Sequence, residues 1–500
     1  SSAVARAMKA VSPIEDGADC EETCLMEVDA ASKGLGQRHC LCLAVFVGAF
    51  FQYLQRSCLG EAVVGEAGMA EEFGWTPSER GLVLSGFFYG YSLGQVPAGW
   101  AASRWGGRPL FFLLGLATLC NMLIPICAEY GAKAVFALRV VYGICQSPLW
   151  ATIFALMAVW SPPTERATML TSATISMSFA YFAGFFVTAL VMDMGGWRYV
   201  FTGYGLLALL WLPLWHRFGW SSAREHPRIS AEELRLIEDA QASAGSRGEV
   251  EAQSTPWLAI LCSKQVWVVL LTEALGGFAG GIIFSFAPTY MHQQLGFSTR
   301  EVGWFSALPQ AVQLIARLLA GRLADSLVRG GVSLTHVRKL FCVIPAWTTG
   351  FFILCLCLGT PGAITSVLLI TAALAAEGPL VLGSPSSVLD IAPEYAGLIT
   401  GMSCMGWALV VGTSSTVVGL LLEWGRCPKG GAEVTGIDQD AASCRSAWQA
   451  AFGLAALLCF CQGLVFFLFG SSARLRLQPS ALDGDPSGAG AKMEPLVVEE

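Results

Sequence analysis

Twelve apolar runs, each about 18 to 25 residues long, divide this 500-residue chain, and no soluble fold buries so many. They begin near Cys40, Gly81, Pro109, Lys133, Ala167, Tyr199, Val266, Val302, Leu340, Ala363, Gly397 and Trp448. Inside lipid the backbone must satisfy its own hydrogen bonds, so runs of this length read as membrane-spanning helices. With 54% hydrophobic and 13% charged residues, the chain is a polytopic membrane protein rather than a soluble multidomain one. The formal net charge of −7 is scattered over tails and loops, and no basic stripe for nucleic acid is present.

The spans fall into two sets of six. Residues 1–39 are expected to be a disordered cytosolic N-terminus, 40–216 an N-terminal six-helix bundle, and 266–470 a C-terminal one. Between them 217–265 forms a cytosolic loop whose HPRISAEELRLIEDAQ reads as a charged surface helix, and 471–500 is a disordered cytosolic tail. Orientation follows from the basic residues. Arg104, Arg108, Arg166, Arg217, Arg224, Arg228, Arg235, Arg247, Lys264, Arg329, Arg338 and Lys339 all lie in even-numbered connections, which places both termini in the cytosol. Arg426, Lys429 and Arg445, in one odd-numbered loop, oppose this and are outvoted. The first 38 residues, beginning at Ser1, hold no apolar stretch of the secretory-signal kind, and an organellar address lost upstream would leave no trace. Plasma, vesicular and plastid membranes all stay open.

The 17 cysteines lie mostly in apolar runs without zinc-site spacing, and read as small hydrophobes; no metal or other cofactor is expected. Cys427 and Cys444 share one polar, outward-facing loop and can bond only if that compartment is oxidising.

Four ionisable residues interrupt the apolar pattern: Arg56, Arg139, Glu273 and Glu377, in the first, fourth, seventh and tenth spans. A charge at mid-bilayer costs about 2.5 to 3.5 kcal/mol, so such residues face a partner, a cavity or a substrate. The fork of Arg56 can grip a carboxylate or phosphate with two parallel hydrogen bonds; snorkelling to the surface is the alternative. Arg139 can do the same, or serve as a structural ion pair, and Gln146 lies two turns further on the same face. Glu273 and Glu377 can carry protons, pair with the arginines when substrate is absent, or simply line a wet funnel. Arg317, eight residues before Asp325, is expected to snorkel or pair at a gate rather than touch substrate.

Two short segments recur in matching places. GWAASRWGGRP follows the second span and AGRLADSLVRGG the eighth, each with a glycine at a helix end and then basic residues. They resemble the signature loop of the major facilitator superfamily. Gly99 and Gly321 would allow close helix approach there, and Arg104, Arg108 and Asp325 would make charge contacts that stabilise one access state. Ser103 stands where that superfamily usually has aspartate. Longer stretches are similar to the anion:cation symporter branch, the phosphate, vesicular glutamate and sialic acid transporters: GLVLSGFFYGYSLGQVPAGW, RVVYGICQSPLWATIFALMAVWSPPTER, GWRYVF, HPRIS, SALPQ, LTHVRK and LDIAPEYAG. The likeness runs from about residue 40 to 470.

The resemblance implies an all-α fold of twelve transmembrane helices in two pseudo-symmetric halves, with spans one, four, seven and ten lining a central site. Arg56 and Arg139 match family arginines, whereas Gln146 replaces a glutamate implicated in proton coupling. Gly276 stands where glutamate carriers have an arginine, and Leu84 and Phe154 stand where histidines matter, which argues against vesicular glutamate transport. Asp390, Pro393 and Glu394 match a turn after span ten. The expected function is alternating-access transport of inorganic phosphate or a small organic acid, with Arg56, Arg139 and Gln146 binding it. Glu273 and Glu377 would couple movement to protons or sodium, or transport would run on voltage, and the empty carrier would pair its arginines with those carboxylates. A cationic or zwitterionic solute and a non-transporting sensor are the alternatives. The chain is expected to act as a monomer in the lipid bilayer. No nucleophile elbow, phosphate-cradling loop or metal cluster points to an enzyme.

Overall fold

The computed structural model describes residues 36–64, 68–105, 107–243, 256–358, 361–392, 395–428 and 439–475, and every regular element among them is helical. The first four spans are α1 (Gln37–Ala62), α2 (Pro77–Trp105), α3 (Gly107–Met122), and α4 (Ala132–Gln146) continued by α5 (Pro148–Trp160). Then come α6 (Pro163–Gly195) and a sixth span split into α7 (Trp197–Leu209) and α8 (Trp211–Phe218). The central loop carries α9 (Ala231–Ser243). The seventh span is α10 (Lys264–Gly281), a π-helical turn Ile282–Phe286, and α11 (Ala287–Leu295). The rest are α12 (Thr299–Arg329), α13 (Leu334–Leu358), α14 (Ala363–Glu377) with α15 (Ser384–Ile391), α16 (Ala396–Trp424) and α17 (Gln439–Phe469). Eight of these stretches are long and apolar enough to cross a membrane on those grounds alone. The second, third, sixth and eighth complete the twelve: α2 and α12 carry polar residues along their length, α3 has 16 residues, and the sixth is divided at Leu210. The expected terminal tails fall outside the described residues, apart from 36–39 and 471–475.

Three of the four spans expected to line the site are broken. The fourth bends at Ser147–Pro148, where proline has no N–H to donate and Ser147 Oγ donates back to the Ile144 carbonyl at 2.8 Å. The seventh breaks at its π turn before Pro288, and the tenth at a 3-10 turn, Gly378–Leu382, containing Pro379. Irregular backbone at membrane depth is tolerated only where protein or an aqueous cavity surrounds it, so these breaks mark the molecular interior.

The two sets of six meet tightly at the side remote from the basic loops. A Cβ on Gly81 of α2 would lie 2.6 Å from the Ser415 carbonyl of α16, and one on Gly419 would lie 2.7 Å from the Pro77 carbonyl. Deeper along the same seam Tyr89 and Thr416 share a hydroxyl hydrogen bond of 3.0 Å, Phe88 meets Trp407, and Ser92 Oγ donates to the Met405 carbonyl at 3.0 Å. α6 and α12 cross with Phe186 and Trp304 rings 4.5 Å apart. This far side is sealed.

On the basic side, Arg38 of α1 binds Glu165 of α6 at 2.8 Å and Glu233 of α9 at 3.3 Å, and Glu233 also accepts from the Gln37 and Arg38 backbone N–H groups. The Arg38 hydrogen bond holds the Glu165 carboxyl below the usual carboxylate range. Ser230 caps α9 by accepting from Glu233 N, and His226 lies edge-on to Trp160 and Trp220, with burial pushing its pKa down. The HPRIS stretch thus docks the central loop. Asp390 pairs with Arg338 at 2.8 Å, a structural role, while Pro393 and Glu394 lie outside the described residues. On the far side Cys427 and Cys444 form a disulfide, and Glu72 binds Arg198 at 2.7 Å.

Candidate functional site

α1 runs unbroken past Arg56 because the stretch holds no proline, and its polar residues bond without breaking the ladder: Gln52 donates to the Leu114 carbonyl and Ser57 Oγ to the Leu54 carbonyl. Arg56 is partly exposed, and its guanidinium sits among five aromatic rings: Phe87 at 4.5 Å, Phe88 at 5.0 Å, Tyr91 at 5.5 Å, Tyr53 at 5.7 Å and Trp407 at 6.0 Å. Phe87, Phe88 and Tyr91 come from α2 and Trp407 from α16, so both sets of six build the cage. Arg139 of α4 is 2% exposed, 5.3 Å from the same Phe87 ring and 4.9 Å from Tyr142. Its Nε and one terminal nitrogen have no hydrogen-bond partner. Two guanidinium groups therefore flank one phenyl ring at the centre of the molecule. Cation–π attraction holds them without neutralising them.

Gln146 lies beside this pair with its amide nitrogen already engaged. Its amide nitrogen donates to the Gln52 carbonyl (3.1 Å), to Gln52 Oε1 (3.1 Å) and to Tyr142 OH (3.0 Å), while Gln52 donates onward to the Leu114 carbonyl and Thr118. A solute can reach it only by displacing those contacts.

In the second set of helices, Glu273 of α10 is partly exposed and faces Ser384 of α15, Cys342 of α13 and Cys404 of α16. Glu377 ends α14, within electrostatic reach of Arg317 on α12, and each carboxylate leaves one buried oxygen without a donor. The expected pairing of Arg56 and Arg139 with these carboxylates does not occur in this conformation: the arginines lie on rings and Glu377 turns to Arg317. Nor does Arg317 snorkel. Its Nε donates to the Gly378 carbonyl at 3.4 Å, because the 3-10 turn presents that carbonyl inward. A Cβ at Gly276 would lie 2.6 Å from the Gln462 side-chain amide, so a larger residue there requires that amide to move, and Leu84 is buried while Phe154 is exposed.

Of the gating residues, Arg108 and Asp325 have separate described contacts and do not pair with each other. Arg104 lies in the last turn of α2, but its side chain, like that of Ser103, is outside the described residues. Arg108 stacks on Trp220 at 3.8 Å, and the exposed Asp325 receives the Arg329 Nε on its backbone carbonyl. Besides the Arg38–Glu233 pair, two further buried charges were not singled out in the sequence. Glu61, five residues beyond Arg56, is 2% exposed, and Arg80, 1% exposed, donates to the Pro428 carbonyl at 3.4 Å. For Glu61 the signal was present: a second charge in the same apolar run.

Comparison with known proteins fits this architecture. Residues 45–415 match the family described as Major Facilitator Superfamily. The sodium-dependent phosphate transport protein 1 of Arabidopsis thaliana chloroplasts is 31% identical over 351 residues, 70% of this chain and 67% of that protein. A probable chloroplastic anion transporter 4 of Oryza sativa subsp. japonica is 31% identical over 71% of this chain and 60% of its own length. Human sialin is 28% identical over 67% of each. The chain thus spans 60% to 67% of the length of these relatives. Among solved structures, a D-xylose–proton symporter superposes with a TM-score of 0.63 at 15% identity, covering 87% of this chain and 98% of its own. A bacterial homolog of the human lysosomal transporter Spinster, inward-facing and unoccupied, gives 0.63 at 17% over the same shares.

Proposed function

The chain belongs to the Major Facilitator Superfamily, in its anion:cation symporter branch, and from that premise we propose that it moves a small anion, inorganic phosphate or an organic acid, across its membrane by alternating access. The observation that carries the reading is the pair of guanidinium groups around Phe87, central, uncompensated by any described carboxylate and, at Arg56, still reachable. Fixed positive charge without a carboxylate partner in this setting favours a solute that brings its own negative charge. Arg139 supplies the second positive charge, and Gln146 anchors the helix that carries it. Residues 40–216 and 266–470 act as the two rocking halves. With the far side sealed, solute enters from the cytosolic side in this state.

Glu273 and Glu377 are the coupling carboxylates in this reading, taking a proton or sodium. Arg104, Arg108 and Asp325 act at the cytosolic rim, where movement brings them together. In proteoliposomes with imposed pH, sodium and voltage gradients, phosphate, sialic acid, glutamate, ascorbate and nucleotides are tested as radiotracers. Arg56→Ala abolishes uptake of whichever is carried while the protein still elutes as a folded species; undiminished uptake removes the proposal. A cationic solute at Glu273 and Glu377 is the second reading, favoured by their unpartnered oxygens. Competition by organic cations, with no effect of phosphate, selects it.

A further inference from the structure

One carboxyl group in the first set of helices is buried with nothing to balance it. Glu61, in the last turn of α1, is 2% exposed, and neither of its oxygens meets a hydrogen-bond donor. The titratable groups that face it are Cys58, one turn back on α1, and Tyr204 on α7. The Tyr204 hydroxyl is already engaged with Thr188 of α6 at 3.0 Å. From α4, Arg139 reaches Cys58 rather than Glu61. No arginine, lysine or histidine among the described residues forms an ion pair with it. On the other flank Gly60 abuts the seventh span, where a Cβ would lie 3.5 Å from the Phe284 and Ser285 carbonyls and 3.8 Å from Pro288. An ionised carboxylate with neither donor nor cation is too costly to bury, so this group is held as the neutral acid. Sodium does not suit it, because a hard cation needs several oxygens converging on one point, and the Tyr204 hydroxyl that faces it is bonded to Thr188.

We propose that Glu61 is a proton-binding site, occluded in its acid form while the far side is sealed and released when α1 parts from the π turn of the seventh span. Gly60 sits on that seam one residue before Glu61, so separation of the halves opens the end of α1 that carries the acid to water. The O–H bond of the Glu61 carboxyl then breaks, the proton passes to water in the far compartment, and a hydrated carboxylate remains; resealing requires the reverse step. No electron changes hands. The coupling half of this proposal rests on the transport reading above, and it adds a proton carrier in a set of helices where Gln146 cannot serve.

Glu61→Gln in the full chain, reconstituted in proteoliposomes, tests it with two readouts. Infrared difference spectra at neutral pH should show a carboxylic-acid C=O stretching band in the wild type that is missing from Glu61→Gln and displaced in Glu61→Asp. Identical spectra overturn the proton site. In transport, the ratio of pH-gradient-driven accumulation to counterflow should fall about tenfold in Glu61→Gln. An unchanged ratio overturns the coupling role. A wild-type chain that carries none of the tested anions overturns the transport reading instead, and the infrared band still decides whether Glu61 holds a proton. Glu61→Asp keeps an acid on a shorter arm, so its displaced band decides the matter should the glutamine variant not fold.

Discussion

Arg56 shows what a single side chain contributes here, because its surroundings satisfy it as a cation yet leave its hydrogen-bonding fork free. Arg56→Lys therefore keeps the charge and the ring contacts but loses the planar two-point grip. Loss of one charge-assisted bond of about 1.5 kcal/mol should reduce anion affinity about tenfold, read as a rise in KM with the maximal rate less affected. The two arginines were legible in the sequence because a charge in an apolar run demands a reason. Their cage was not, since Phe87, Phe88, Tyr91 and Trp407 look like ordinary lipid-facing aromatics until helices distant in the chain are packed. Glu61 was missed for a related reason: near the end of a span, a carboxylate looks like an interfacial residue. Only the packing of α1 against α6 and α7 reveals that it never reaches water in this state.

Helix crossings govern the next scale. α2 and α16 approach so closely at Gly81 and Gly419 that a side chain at either position must push the pair apart. Gly419→Val should weaken far-side closure by about 1 to 3 kcal/mol, the usual cost of overpacking, and shift the population towards the opposite access state. Hydrogen exchange followed by mass spectrometry checks this: residues 77–92 and 405–424 should lose protection, and unchanged protection would show that the seam tolerates the extra bulk. The apolar runs of the sequence anticipated twelve spans, and each helix starts within nine residues of its expected position. The breaks in the fourth, seventh and tenth were not anticipated, although Pro148, Pro288 and Pro379 stood in the text; proline in a membrane helix is common enough that only the missing backbone partner identifies a true interruption.

For the whole molecule, two clamps on opposite faces respond to different conditions. The Arg38–Glu165–Glu233 tie depends on ionised carboxylates. Because the folded Glu165 titrates below its unfolded range, the stability it adds is complete above about pH 4.3 and disappears as pH falls through the lower folded value. Pepsin cleavage within α9 should rise over that acid range, and Glu165→Gln should remove the pH step. The Cys427–Cys444 bond closes a loop with a sequence separation of 17, for which chain-entropy reasoning gives about 3 kcal/mol. Reduction, or Cys444→Ser, should lower Tm without altering solute affinity; an unchanged Tm would mean the loop is already held by its packing. Which face is sealed could not be read from the residues in order, because the same contacts can form on either side as the halves rock.

The aromatic setting of Arg56 also bears on speed. Had a carboxylate held that guanidinium in the vacant carrier, every arriving anion would first have to break an internal bond and leave a stranded negative charge behind. Quadrupoles make no such demand: the incoming ion finds its receptor free of a bound carboxylate and has no rival to evict. Loading should then be limited by diffusion into the vestibule, and discrimination between anions should appear in how quickly each departs.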